Sequence, residues 1–296
     1  MTLEPKAHTR TGDFAIGFRR GGSDWQQNAQ TLIRFALDEG FGCIDWPGDA
    51  FDEAQQAVDG GLRIGSVDLP GAWGDYHSAD AGKRAEMLET FSVHVERWAK
   101  FGPMNHFAVM FPEDQSKPRP ENFKHMVAFW KEAAPVLEKH QGKLVIEGWP
   151  GNQSLCCTPE SLQAFFDAVP SQALGVNYDP SHLIRMGIEP MRFLEQFKER
   201  VFHCHGKDAR VYAERLYQAG WETKADHTEG FGFGGIAWRY TIPGHGTTDW
   251  VGTFEVLKAA GYSGCISIEL EDQYFNDTEA GEKAGLRHSR DFLKGC

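Results

Sequence analysis

The sequence lacks several features that would each mark a class of protein. It has no run of about 18 or more apolar residues, the length a membrane span requires. Its first stretch, 1–14, holds neither an apolar segment nor a small-residue cleavage site, so no secretory leader is expected and a cytoplasmic location is. The six cysteines are scattered, with no C-x-x-C pair or disulfide ladder, which fits a reducing compartment. No Pro/Ser/Gly-rich linker divides the 296 residues, so a single domain over 1–296 is expected. Positive charge is also scarce, with 30 Lys and Arg against 42 Asp and Glu. The resulting net charge of −12 repels a phosphate backbone, and no basic arm offsets it, so neither nucleic acid nor membrane is expected as a partner.

What the chain does have is an alternation between short apolar runs and longer stretches with apolar residues at helical spacing. The runs 14–18, 42–46, 63–68, 106–111, 143–147, 174–179, 201–205 and 265–269 read as strands. The stretches 24–39, 83–100, 121–140, 159–168, 190–199 and 250–260 read as helices between them. Thr158-Pro159-Glu160 gives a helix start, and Ala260-Gly261 a helix end. Strand and helix in regular alternation imply a parallel sheet covered by helices. Eight units, with no G-x-G-x-x-G turn after the first strand, predict an α/β fold closed as a (β/α)8 TIM barrel. One connection is too long for a simple loop: 209–249, after the seventh strand, is rich in Gly and aromatics and is expected to be an insertion serving as a lid or an oligomer contact. A homo-oligomer is compatible with such exposed aromatic loops.

In such a barrel the chemistry sits at the C-terminal ends of the strands. Glu147, Asp179, His205 and Glu269 end the last four apolar runs in order, so their side chains are expected to converge. Three carboxylates forced together repel, and a divalent cation among them turns the repulsion into attraction. Oxygen donors with one imidazole and no thiolate favour Mn, Mg, Co or Fe(II) over structural zinc, and one divalent ion, Mn(2+) first, is the expected cofactor. Of the remaining candidates, Trp149 is placed to stack on a sugar ring, whereas Trp46 and Trp73 read as core or rim. His203 should face the same way as His205. Lys207, Asp208, Glu271 and Asp272 are candidate braces, and His245 lies in a Gly-rich turn.

These motifs resemble the xylose-isomerase-like barrels, a family of sugar-phosphate isomerases, ketose 3-epimerases, and inosose dehydratases and isomerases. The resemblance rests on Ile146-Glu147, Asp179-Pro180-Ser181-His182, His203-Cys204-His205-Gly206-Lys207-Asp208, Pro243-Gly244-His245-Gly246 and Ile268-Glu269-Leu270-Glu271-Asp272. It covers 140–295 by motif and the first half by architecture alone. It implies Glu147, Asp179, His205 and Glu269 as metal ligands and His182 as a substrate contact. Family epimerases often carry an arginine six residues after the histidine ligand; here that position is Val211, with Arg210 before it.

Together these readings lead to an expected metal-dependent isomerase or epimerase of a keto sugar or related polyol. Glu147 and Glu269 are the expected acid–base pair around an enediolate. A lyase or dehydratase acting on a 3-keto glycoside or inosose shares that first step. Two other classes fit less well. An apurinic endonuclease of this fold uses three zinc ions and needs a positive groove. A non-catalytic subunit has no need of two carboxylates able to flank a substrate.

Overall fold

In the computed structural model, which describes residues 7–222 and 225–296, the alternation becomes a closed barrel. Of the stretches interpreted above, 1–6 and 223–224 lie outside the described residues. The first seven barrel strands are β1 (Ala15–Arg19), β2 (Cys43–Trp46), β3 (Arg63–Asp68), β4 (Asn105–Val109), β5 (Lys143–Glu147), β6 (Leu174–Tyr178) and β7 (Val201–His205). Two strands outside the barrel follow, β8 (Asp208–Val211) and β9 (Trp238–Thr241), before β10 (Cys265–Ile268) completes the ring. The barrel pairings are parallel, and the ring closes where Ala15 sits opposite Cys265 and Phe18 opposite Ile44. Runs such as Leu-Val-Ile in β5 are buried on both faces, as parallel strands sheathed by helices require.

Among its described residues, the stretch 209–249 carries a strand pair and a short helix. Its strands β8 and β9 pair antiparallel, Asp208 opposite Thr241, with a helix Ala213–Ala219 between them. Asp208 ties the return path down, accepting from Thr247 N at 3.0 Å, Thr248 N at 3.1 Å and Thr248 Oγ1 at 2.7 Å.

Local chemistry sets the helix boundaries. The expected helix 24–39 is broken at Asn28, whose side chain accepts from Thr31 N at 3.0 Å and starts a new helix, Ala29–Asp38. Thr158 and Ser161 form a reciprocal capping box, with Pro159 at the start of Pro159–Ala168. Helices Phe51–Asp59, Pro180–Arg185 and Glu279–Gly295 are additions to the sequence-based reading. The last of them is clasped to the first turn of the fold: Glu282 Oε2 accepts from Ser23 Oγ at 2.6 Å, Trp25 Nε1 at 2.5 Å and Gln26 Nε2 at 3.0 Å.

Outside β3 and β4, Phe91, Phe129 and Trp130 pack edge to face at 5.2, 5.6 and 6.0 Å between centroids. Each such pair contributes about 0.5–1.5 kcal/mol beyond simple burial. His77 closes this cluster. Its Nδ1 is 2.5 Å from the Phe111 carbonyl and its Nε2 is 3.1 Å from Trp130 Nε1. Trp130 can only donate, so Nε2 accepts and Nδ1 carries the proton: the ring is held neutral. Among the described residues, no helix is long and apolar enough to cross a membrane.

Candidate metal centre

The four residues expected to converge do so. Glu147 ends β5 and His205 ends β7, while Asp179 and Glu269 each stand one residue beyond β6 and β10. One donor atom from each lies within 4.8 Å of the others. His205 Nδ1 is central, at 3.5 Å from Glu147 Oε2, 3.8 Å from Asp179 Oδ2 and 3.4 Å from Glu269 Oε2. Asp179 also caps the helix Pro180–Arg185; its Oδ1 accepts from Ser181 N at 2.8 Å and Ser181 Oγ at 2.6 Å, which leaves Oδ2 for the cluster. Glu147, Asp179 and His205 are buried, whereas the Glu269 side chain is 20% exposed and opens the cluster to the barrel mouth.

The donors fit a divalent cation. Glu147 Oε1, Asp179 Oδ2 and His205 Nδ1 are buried, and none completes a hydrogen bond of good geometry: His182 Nε2 stands against Glu147 Oε1 and Lys207 Nζ against Asp179 Oδ2 as ion-pair contacts only. Buried donors left in this state suit a cation that meets them together. Three carboxylates and an imidazole, with no thiolate, suit a hard or borderline ion.

Lys207 also reaches this point. Its Nζ contacts Glu269 Oε2 and lies 3.1 Å from Glu271 Oε2 and 3.2 Å from Asp179 Oδ2. Burial disfavours the Lys207 ammonium, but Asp179, Glu269 and Glu271 outweigh it and hold the lysine well above its ordinary pKa. Burial likewise pushes against charge on Glu269, yet Lys207 and His205 keep that carboxyl well below its usual range.

Beneath the cluster lies a residue that the strand-end reading missed. Asp45, in the middle of β2 and fully buried, has Oδ2 2.8 Å from His203 Nε2 and 3.6 Å from His205 Nε2, and Oδ1 accepts from Ser267 Oγ at 2.9 Å. Burial alone would raise the Asp45 carboxyl; His203 and His205 overcome that and keep it low and ionised. Asp45 thus hydrogen-bonds His203 and lends its charge to the far side of the His205 ring. Gly65 makes the room, since a Cβ there would stand 2.1 Å from Asp45 Oδ1. The available signal was an aspartate inside the apolar run Cys43–Trp46.

The opposite side of the mouth is formed by β1, β3 and β4. Arg19 grips Asp68 with two 2.8 Å hydrogen bonds, places Nε 3.4 Å from Glu269 Oε1, and lies 4.5 Å over the Phe107 ring. Phe107 in turn stacks on His205 at 5.4 Å. Arg19 and Asp68 end β1 and β3, so the rule that singled out Glu147 applied to them as well.

His182 joins the cluster, with Nε2 2.5 Å from Glu147 Oε1 and 3.5 Å from Asp179 Oδ2. Trp149 is half-buried, packed edge to face with Phe111 at 5.8 Å, and Phe111 stacks on Trp73 at 6.0 Å. Trp46 is core. Asp272 is structural, accepting from Arg239 Nη1 at 2.9 Å and Ile242 N at 3.2 Å, and His245 is exposed beside Phe275.

Comparison with known proteins places this geometry. Uncharacterized protein YfiH of Bacillus subtilis (strain 168) is 32% identical over 171 residues, 57% of this chain and 51% of that protein. Inosose dehydratase of Geobacillus thermodenitrificans (strain NG80-2) is 28% identical over 114 residues, 38% of this chain and 36% of that protein. The chain thus spans about half or less of the length of these curated relatives. The apo crystal structure of 3-keto-D-glucoside 4-epimerase, YcjR, from E. coli superposes with a TM-score of 0.69 at 16% identity, over 96% of this chain and 100% of that one, and so shares its fold. The model of the family described as "Xylose isomerase-like TIM barrel" matches residues 33–296, a span holding seven of the eight barrel strands and all four converging donors, and this chain belongs to that family.

Proposed function

We propose that the protein is a sugar isomerase or epimerase that uses one divalent metal ion, Mn(2+) by preference, to act on a keto sugar or related polyol, with Glu147 and Glu269 as the acid–base pair. The observation that carries this reading is the meeting of Glu147, Asp179, His205 and Glu269 within 4.8 Å at the C-terminal end of the barrel. Bound there, the ion would supply Lewis-acid stabilisation for the negative charge of an enediolate. Glu147 and Glu269 flank the centre from β5 and β10. One removes the proton from the carbon beside the carbonyl, and the other, protonated, returns a proton on the opposite face, which inverts that carbon. His182, beside Glu147, is placed to touch substrate oxygens, and Trp149 at the rim to stack on the ring.

The second reading is a dehydratase, in which the same enediolate expels a β-hydroxyl instead of regaining a proton. The inosose dehydratases among the relatives favour it, and Lys207 and His182 are the proton donors at hand for the departing hydroxyl.

Elemental analysis of the wild type and of Glu147→Gln, Asp179→Asn, His205→Ala and Glu269→Gln, each then incubated with keto sugars in deuterium oxide, tests both readings. About one ion per chain, diminished in the variants, with metal-dependent deuterium uptake beside the carbonyl supports the shared step. An inverted product selects the epimerase and loss of water selects the dehydratase. A wild type that takes up no metal on reconstitution sinks the proposal.

A further inference from the structure

We propose that Tyr240, with Arg185 behind it, is a positioning residue that sets the proton of His182 and links the groups holding the two proton-transfer carboxylates. The kinetic part of this inference rests on the reading of Glu147 and Glu269 given above; the proton placement does not.

Tyr240 comes from β9, in the stretch between the seventh and eighth barrel strands, yet its side chain is buried in the centre. Its hydroxyl lies 2.7 Å from His182 Nδ1 and 2.8 Å from Arg185 Nη1. A guanidinium only donates, so the tyrosine oxygen accepts from Arg185, and its own hydrogen is free to be donated to His182 Nδ1, the direction inferred here. A neutral imidazole that accepts at Nδ1 carries its proton at Nε2, and Nε2 is the atom facing Glu147 Oε1 at 2.5 Å. Arg185 is itself fixed, its guanidinium lying 4.2 Å over the Trp238 ring.

The same tyrosine reaches the other carboxylate. The Lys207 ammonium, which contacts Glu269, sits 4.6 Å over the Tyr240 ring. One side chain therefore touches His182, which faces Glu147, and Lys207, which faces Glu269. Arg185 and Tyr240 bring a cation and a hydroxyl to this side of the site from separate elements.

The test uses Tyr240→Phe, which keeps the ring and its cation contact and removes the hydroxyl alone. The first measurement is the tautomer of His182 by nitrogen-15 NMR on histidine-labelled, Mg(2+)-loaded protein, its signal assigned by loss in His182→Asn. The wild type is expected to show the Nε2–H form and Tyr240→Phe a shift toward Nδ1–H. The second is turnover on whichever keto sugar exchanges deuterium: kcat should fall about 10- to 100-fold with KM and metal content unchanged, as for loss of an outer partner that orients an active group. Arg185→Met should lower kcat in the same direction and Arg185→Lys restore part of it. An Nδ1–H tautomer in the wild type, or a Tyr240→Phe protein with unaltered tautomer, overturns the inference. Unaltered kcat with a changed tautomer overturns its kinetic half. Absence of deuterium exchange in the wild type is a failure of the proposed function instead, and leaves the tautomer measurement to decide the placement.

Discussion

Mild acid should loosen this protein through His77, and the size of the effect follows from its surroundings. The imidazole is fully enclosed, with Nδ1–H committed to the Phe111 carbonyl and Nε2 to the Trp130 N–H. Burial, partly offset by the Phe111 hydrogen bond, lowers its pKa from 6.5 to about 4. A base with a depressed pKa in the folded state adds stability above its unfolded value and loses it as the pH falls from 6.5 toward 4. The full effect is about 3 kcal/mol, and about 2 kcal/mol of it is lost between about pH 7 and about pH 4.5. His77→Gln removes the titration while its amide offers a donor to Phe111 and an acceptor to Trp130. Urea unfolding followed by tryptophan fluorescence, with chelator present so that metal loss does not contribute, measures both proteins at the two pH values. The wild type should lose about 2 kcal/mol more than the variant over this interval. His94, whose pKa is also lowered to about 4, affects both proteins equally and cancels. Parallel pH dependences would refute the reasoning, since the neutral ring would then contribute nothing.

Three further outcomes follow from the barrel interior and its rim. Asp45→Asn should weaken metal binding about 10- to 100-fold by calorimetric titration although residue 45 is not among the four converging donors, because the negative charge behind the His203 and His205 rings is lost. Gly65→Ala should cost about 1–3 kcal/mol in thermal or urea unfolding, because its Cβ would overlap the buried Asp45 carboxylate; an unchanged midpoint would mean that the interior yields easily. Trp149→Ala should raise KM and leave metal content intact, and an unchanged KM would reduce Trp149 to a packing partner of Phe111.

The parts of the fold legible in the sequence were those governed by local pattern. Strand β5 reads directly from Leu-Val-Ile, and the Thr158 cap from its proline and its short polar side chains. The four converging residues could be found because each follows an apolar run. Asp45 escaped because its charge is balanced by histidines far along the chain, a relation that periodicity does not carry. Arg19 and Asp68 satisfy the same strand-end rule but end the first and third strands, outside the consecutive series on the last four. Tyr240 meets His182 across a separation of 58 residues, and only the folded path of β8 and β9 brings them together. The helix Pro180–Arg185 is too short to show a period of its own.

The pairing of β1 with β10, and the grip of Glu282 on Ser23, Trp25 and Gln26, also fix the order of events during synthesis. Strand β1 can pair with β2 soon after both are made, but its other edge stays open until β10 has been made. Contacts of such high sequence separation form slowly, and an open strand edge invites association with other chains in the meantime. Glu269 lies beside that closing seam. Its carboxylate joins Glu147, Asp179 and His205 when β10 docks on β7, so the four-donor cluster is assembled by the same strand that closes the ring.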